Sequence, residues 1–192
     1  MSIREEKKRA TARQIRAVAR ELFVAKGYAQ TSVEEIALAA GVSRAGLFNY
    51  YRGKSAILQG LSAELEPRLV QLVEHYQAKS LTTADKIRQL FEYSAKILEQ
   101  TAALTRLLFL QGNSEGFPTL ELAFRQLVLA GQQRGEVRKD LEAGALSEML
   151  YLGFMASLLG WCRSLDMALD LELARRADAL AQMLAAPGTR GY

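Results

Sequence analysis

Apolar residues recur at intervals of three and four along nearly the whole chain, the spacing that gathers side chains on one face of an α-helix. No segment alternates β-branched and polar residues as a half-buried strand does, so the expected class is all-α, with about nine helices. In the first helix Ile15, Val18, Ala19, Leu22 and Phe23 form one stripe, and Arg9, Arg13, Arg16 and Arg20 lie mostly off it. Gly27 supplies its stop. Ser32-Val33-Glu34-Glu35 reads as a capping box: serine hydroxyl and glutamate carboxylate each satisfy an N–H that a helix start leaves bare. The short helix it opens buries Val33, Ile36, Ala37 and Ala40, turns at Gly41, and is followed by a third helix capped by Ser43.

After Arg52-Gly53-Lys54 a longer helix carries Ile57, Leu58, Leu61, Leu65, Leu69, Leu72 and Tyr76. Pro67 lies inside it, lacks an N–H and should kink or split it. Thr82-Thr83-Ala84-Asp85 starts the next helix, a short apolar segment covers Leu104 to Leu110, and Gly112, Asn113 and Gly116 open a loop. Pro118 suits the first turn of a helix that stops near Gly135, and two more helices run roughly from Leu141 to Ser164 and from Leu169 to Ala185. The expected organisation is an amino-terminal three-helix domain over 1–54, a helical domain over 55–186, and a frayed tail over 187–192.

The net charge of +4 is unevenly spread. Through Lys54 there are eleven basic and five acidic residues; the remainder is slightly acidic. A basic block favours a polyanion, because each phosphate neutralised by Lys or Arg releases a condensed counterion. An acidic protein or a membrane surface is the alternative partner for such an end, making the chain a helical interaction module. No apolar run follows the charged start, and the longest apolar stretch, Met149 to Cys162, is short of a membrane span and interrupted by glycines, so a cytoplasmic location without membrane contact is expected. The lone Cys162 permits neither an internal disulfide nor a cysteine metal cluster. No glycine-rich phosphate loop, paired metal-spaced histidines or nucleophile–base set is present, so the chain reads as a non-enzyme needing no metal and no cofactor. His75, the only histidine, sits between Glu74 and Tyr76 as a solvated residue.

From Val33 to Arg52 the pattern is that of a helix-turn-helix: small Ala37 faces the second helix, Gly41 makes the turn, and Val42 and Leu47 fill the wedge. Thr31-Ser32-Val33-Glu34-Glu35-Ile36-Ala37, Gly41-Val42-Ser43 and Leu47-Phe48-Asn49-Tyr50-Tyr51-Arg52-Gly53-Lys54 resemble the tetracycline-repressor (TetR) family over residues 8 to 58. The resemblance implies a homodimeric repressor whose third helix enters the major groove of a palindromic double-stranded operator. It also implies a carboxy-terminal domain in which a small-molecule effector weakens DNA binding.

By position on the third helix, Arg44 is the candidate base reader, its guanidinium suited to guanine O6 and N7; Asn49 suits adenine, Ala45 a thymine methyl, and Gly46 close backbone approach. Tyr50, Lys54, Thr31 and Ser43 match the family's phosphate-binding positions, while Phe48 stands where the family commonly has a tyrosine. Core packing is the other reading for Tyr50 and Tyr51.

Gly153, Ala156, Ser157 and Gly160 form a narrow small-residue face on the helix over 141–164. With Ala177, Leu180 and Leu184 of the last helix they are candidates for a four-helix dimer interface; packing inside one protomer is the alternative. Phe91, Phe109, Phe117, Phe124, Tyr151 and Phe154 are candidates for a mainly apolar effector site, with Tyr93 or Arg106 as polar handles.

Overall fold

The computed structural model describes residues 2–112, 117–164 and 166–187. Among them are nine α-helices: α1 (Ile3–Lys26), α2 (Val33–Ala39), α3 (Arg44–Phe48), α4 (Lys54–Gln77), α5 (Thr83–Glu99), α6 (Ala102–Leu107), α7 (Pro118–Gln133), α8 (Ala143–Arg163) and α9 (Leu169–Leu184). A π-turn over Leu108–Gly112 continues α6. The loop expected at Asn113 and Gly116 and the end of the frayed tail lie outside the described residues.

The helix starts follow their capping chemistry. Ser32 Oγ accepts the Glu35 N–H at 3.1 Å, and Glu35 accepts the Ser32 N–H at 2.8 Å, completing the expected box. Caps of this kind contribute about 1 kcal/mol each. Glu35 also takes a bond from Lys26, and the Lys26 and Ser32 hydrogen bonds hold its carboxyl down to about 2. Ser43 Oγ accepts the Gly46 N–H to start α3, and Thr82 Oγ1 accepts the Asp85 N–H to start α5. Gly41 turns the chain between α2 and α3 with φ +69°, a region that costs glycine nothing.

The chain divides into two compact units, one formed by Met1–Glu64 with Ala103–Ser114, the other by Leu65–Ala102 with Glu115–Tyr192. The first unit therefore reaches past residue 54, where the three-helix domain was expected to end. Its core explains why: Ile15, Ala19 and Phe23 of α1, Ile36 and Ala37 of α2 and Leu47 of α3 are closed over by Ile57, Leu58 and Leu61 of α4 and by Leu104 and Leu108. Helix α4 is unbroken, with Pro67 inside it rather than splitting it.

The second unit is built on α5, α7, α8 and α9, with α5 packed along α9 and α7 along α8. Helix α8 is long and apolar enough to cross a membrane, but Leu146, Leu150, Phe154, Leu158 and Trp161 bury half of it in this unit's own core, as does Cys162. At one end, the segment after α7 pairs with the end of α9 through an isolated antiparallel bridge, Val137 with Ala185.

Candidate nucleic-acid interface

In the first unit the turn between α2 and α3 is held by Val42 N–H to the Ala37 carbonyl, 3.0 Å, and Gly41 N–H to the Leu38 carbonyl, 3.1 Å. Leu47 is fully buried, so the opposite side of α3 faces solvent. Ser43, Arg44, Ala45 and Asn49 are exposed there and Gly46 is half-buried. Arg44 lies over the Phe48 ring and meets Glu34 at 2.9 Å, both partners being well exposed, so solvent screens the pair and the guanidinium is released at little cost. A Cβ on Gly46 would come 3.0 Å from Ser43 Oγ, which makes glycine the residue that leaves the cap undisturbed.

A groove of about 880 Å³ runs between the start of α1 and α3. Arg4, Lys7 and Lys8 line one side, and Ser43, Gly46, Asn49 and Tyr50 the other. These three cations form no ion pair among the described residues. Two arginines of α1 are neutralised internally. Glu64 of α4 takes Arg16 at 2.5 Å and Arg20 at 2.6 Å, and Arg16 donates to Tyr51 Oη at 2.6 Å. Arg4, Lys7 and Lys8, with Glu5 among them, thus leave a net positive charge where a phosphodiester strand passing α3 would lie. Arg4, Lys7 and Lys8 were not singled out in the sequence as site residues; the signal was the basic run itself.

Two residues matched to phosphate positions are placed differently. Thr31 is buried, and its hydroxyl donates to the carbonyls of Gly27 at 2.9 Å and Leu22 at 3.3 Å, so it tightens the turn after α1 instead of facing solvent. The Lys54 ammonium donates to the Tyr28 carbonyl at 2.8 Å, sits over the Tyr28 ring, and is half-buried, tying α4 to the α1–α2 connection. Tyr51 belongs to the packed interior, while Tyr50 both touches the core and lines the groove.

In the second unit Phe91, Phe124 and Phe154 are fully buried with rings in mutual contact: Phe91 meets Phe154 edge-on at 5.1 Å between centroids, and Phe124 meets Phe154 at 5.9 Å. They fill the core, and a ligand among them would have to part them. Phe117 is buried beside them in sequence order, its N–H donating to Tyr151 Oη at 2.8 Å. Phe109 falls in the other unit, so the six aromatic candidates are not one cluster. Tyr93 is half-exposed, with Lys96 over its ring, and His75 is exposed.

The small-residue face is likewise used inside the protomer. A Cβ on Gly153 would stand 2.8 Å from Leu180 Cδ1, so this glycine lets α8 approach α9 of the same chain. Ser157 is buried and donates to the Gly153 carbonyl, and Ala177, Leu180 and Leu184 are buried against the chain itself. Of the seven interface candidates only Ala156 is exposed, with Gly153 and Gly160 half-buried. Large apolar side chains do face solvent on these helices: Met149 and Leu152 on α8 and Leu171 on α9.

A three-helix head with a short, solvent-facing third helix beside a net basic groove defines a helix-turn-helix regulator of the DNA-binding class. Residues 15–61 match the family model described as "Bacterial regulatory proteins, tetR family". The whole fold is similar to that of Thermus thermophilus FadR, described as a TetR-family transcriptional repressor in complex with lauroyl-CoA: 26% identity, TM-score 0.74, covering 94% of this chain and all of that one. It is also similar to SmeT, the repressor of a Stenotrophomonas maltophilia multidrug efflux pump: 18% identity, TM-score 0.75, covering 92% and 91%. A putative mycofactocin biosynthesis regulator of Mycobacterium tuberculosis, MftR, is 43% identical over 63 residues, which span 27% of this chain and only 32% of that protein. The repressor DhaR of a Mycobacterium species is 22% identical over 163 residues, 72% of this chain and 76% of that one. The chain is thus similar to regulators of the tetR family, in sequence over residues 15–61 and in fold over nearly its whole length.

Proposed function

We propose that the protein is a cytoplasmic, homodimeric repressor, without enzymatic activity, that binds a palindromic operator and is released from it by a mainly apolar effector held in the second unit. The observation that carries the reading is the exposed face of α3 beside the groove of Arg4, Lys7 and Lys8. Arg44 and Asn49 would read base edges, and Ser43, Tyr50 and the three groove cations would hold phosphate. Lys54 would act from its tethered position, since an ammonium has three donors and the main chain takes only part of them.

Dimerisation is supported by the apolar residues that α8 and α9 leave in solvent, Met149, Leu152 and Leu171, with Ala156 between them in sequence. A two-fold pair of heads would bind half-sites one helical turn or a multiple of it apart. An apolar effector is supported by the aromatic content of the second unit and by the lauroyl-CoA and triclosan named with similar structures. Light scattering combined with a salt titration of duplex-DNA binding tests the reading: a dimer whose affinity falls steeply with salt is expected. A monomer, or binding indifferent to salt, would contradict it.

A further inference from the structure

At the end of the second unit where α5 begins and α9 finishes there is a cavity of about 180 Å³. Ala84 and Ile87 of α5, Val137, and Ala181, Leu184 and Ala185 at the α9 end give it mainly apolar walls. Its three polar residues are already paired. Thr82 Oγ1 donates to Asp85 at 2.6 Å. Glu136 Oε2 accepts the Thr83 N–H at 2.7 Å and the Thr83 hydroxyl at 2.6 Å, and Arg134 donates to both residues. With both threonine hydroxyl protons taken, an anionic guest would find no free side-chain donor in this lining.

The walls are also fixed. Thr83 and Val137 press directly on Gly131, where a Cβ would meet Val137 Cγ2 at 2.5 Å and Thr83 Oγ1 at 2.6 Å. On the other side, Arg138 N–H donates to the Leu184 carbonyl at 2.9 Å and Ala186 N–H to the Glu136 carbonyl at 3.1 Å, so α9 is pinned to the Glu136–Arg138 segment across the cavity. The pocket is partly open to solvent, but braced on two sides its mainly apolar walls stay apart and offer a small apolar guest a preformed place.

We propose that this cavity is a binding site for a compact, uncharged, mainly apolar molecule about the size of one aromatic ring. It is separate from the Phe91, Phe124 and Phe154 cluster, which would need its rings parted to admit a ligand. Binding here does not depend on the DNA-binding reading and is measured without DNA. Contact with Ala181, Leu184 and Ala185 places the guest against the end of α9, and contact with Ala84 and Ile87 places it against the first turns of α5.

The test uses the full chain, methyl-labelled, titrated with benzene, with benzoate as the charged comparison. Saturable benzene shifts with intermolecular NOEs to the methyls of Ile87, Val137 and Leu184 are expected, with none from benzoate. Ala181→Leu should fill the space and weaken benzene at least tenfold. Absence of saturable binding, NOEs only to methyls elsewhere in the unit, or unchanged affinity in a folded Ala181→Leu would each overturn the proposal. The NOEs in the unsubstituted protein decide the matter should that variant fail to fold.

Discussion

Glu136→Gln should make the protein less stable at neutral pH by an amount that vanishes in acid. Burial raises the Glu136 carboxyl, but hydrogen bonds from Arg134, the Thr83 hydroxyl and the Thr83 N–H outweigh it and bring the group from 4.5 to about 2. The folded protein thus favours the ionised form more than the unfolded chain does. Its contribution is fully present above pH 4.5 and is lost as pH falls through about 2. At about 1.4 kcal/mol per pKa unit the shift corresponds to at most about 3.5 kcal/mol. The Glu136 side chain is 29% exposed and that of Arg134 39%, so screening brings the expected value to about 1–2 kcal/mol. Urea unfolding of both proteins between pH 7 and pH 2.5 measures it. Other carboxylates, including Glu35, titrate in both, so the quantity to follow is the gap between the two proteins. A gap that narrows steadily below pH 4.5 is expected; a gap independent of pH would refute the assignment of an ionised cap on α5.

Gly131→Ala should cost about 1–3 kcal/mol in urea unfolding, because the new Cβ overlaps both Thr83 and Val137. Replacing Lys7 and Lys8 together by alanine should flatten the dependence of log affinity on log salt by about 2 while leaving sequence preference intact, as expected for phosphate contacts. Leu152→Glu combined with Leu171→Glu, both at exposed positions, should give a folded monomer by light scattering; a persistent dimer would move the interface elsewhere.

Local chemistry was legible in the sequence, and long-range packing was not. The Ser32 capping box, the turn at Gly41, the Ser43 and Thr82 caps and Pro118 at the start of α7 follow from hydrogen-bonding and steric rules that act within a few residues. Leu104 and Leu108 look the same on a helical stripe whichever core they join, and their place beneath α1 and α4 depends on contacts distant along the chain. Periodicity likewise says that Gly153 and Leu180 are on inner or interface faces but not which, since a close approach within the chain and one between chains need the same small side chain. Thr31 shows the limit of matching positions: the hydroxyl is where the pattern puts it, but two main-chain carbonyls take its proton. Arg4, Lys7 and Lys8 stood out only as charge, because nothing in a run of basic residues tells which will find a carboxylate, as Arg16 and Arg20 do in Glu64.

The central claim is sequence-specific DNA binding through α3, and its most direct measurement is selection of genomic fragments by the purified protein, repeated with Arg44→Ala. Enrichment of one inverted repeat, with the substitution costing about 1–3 kcal/mol of discrimination at one base pair of each half-site, is the expected result. Failure to enrich any sequence at low salt, or the same repeat recovered with undiminished discrimination by Arg44→Ala, would contradict it.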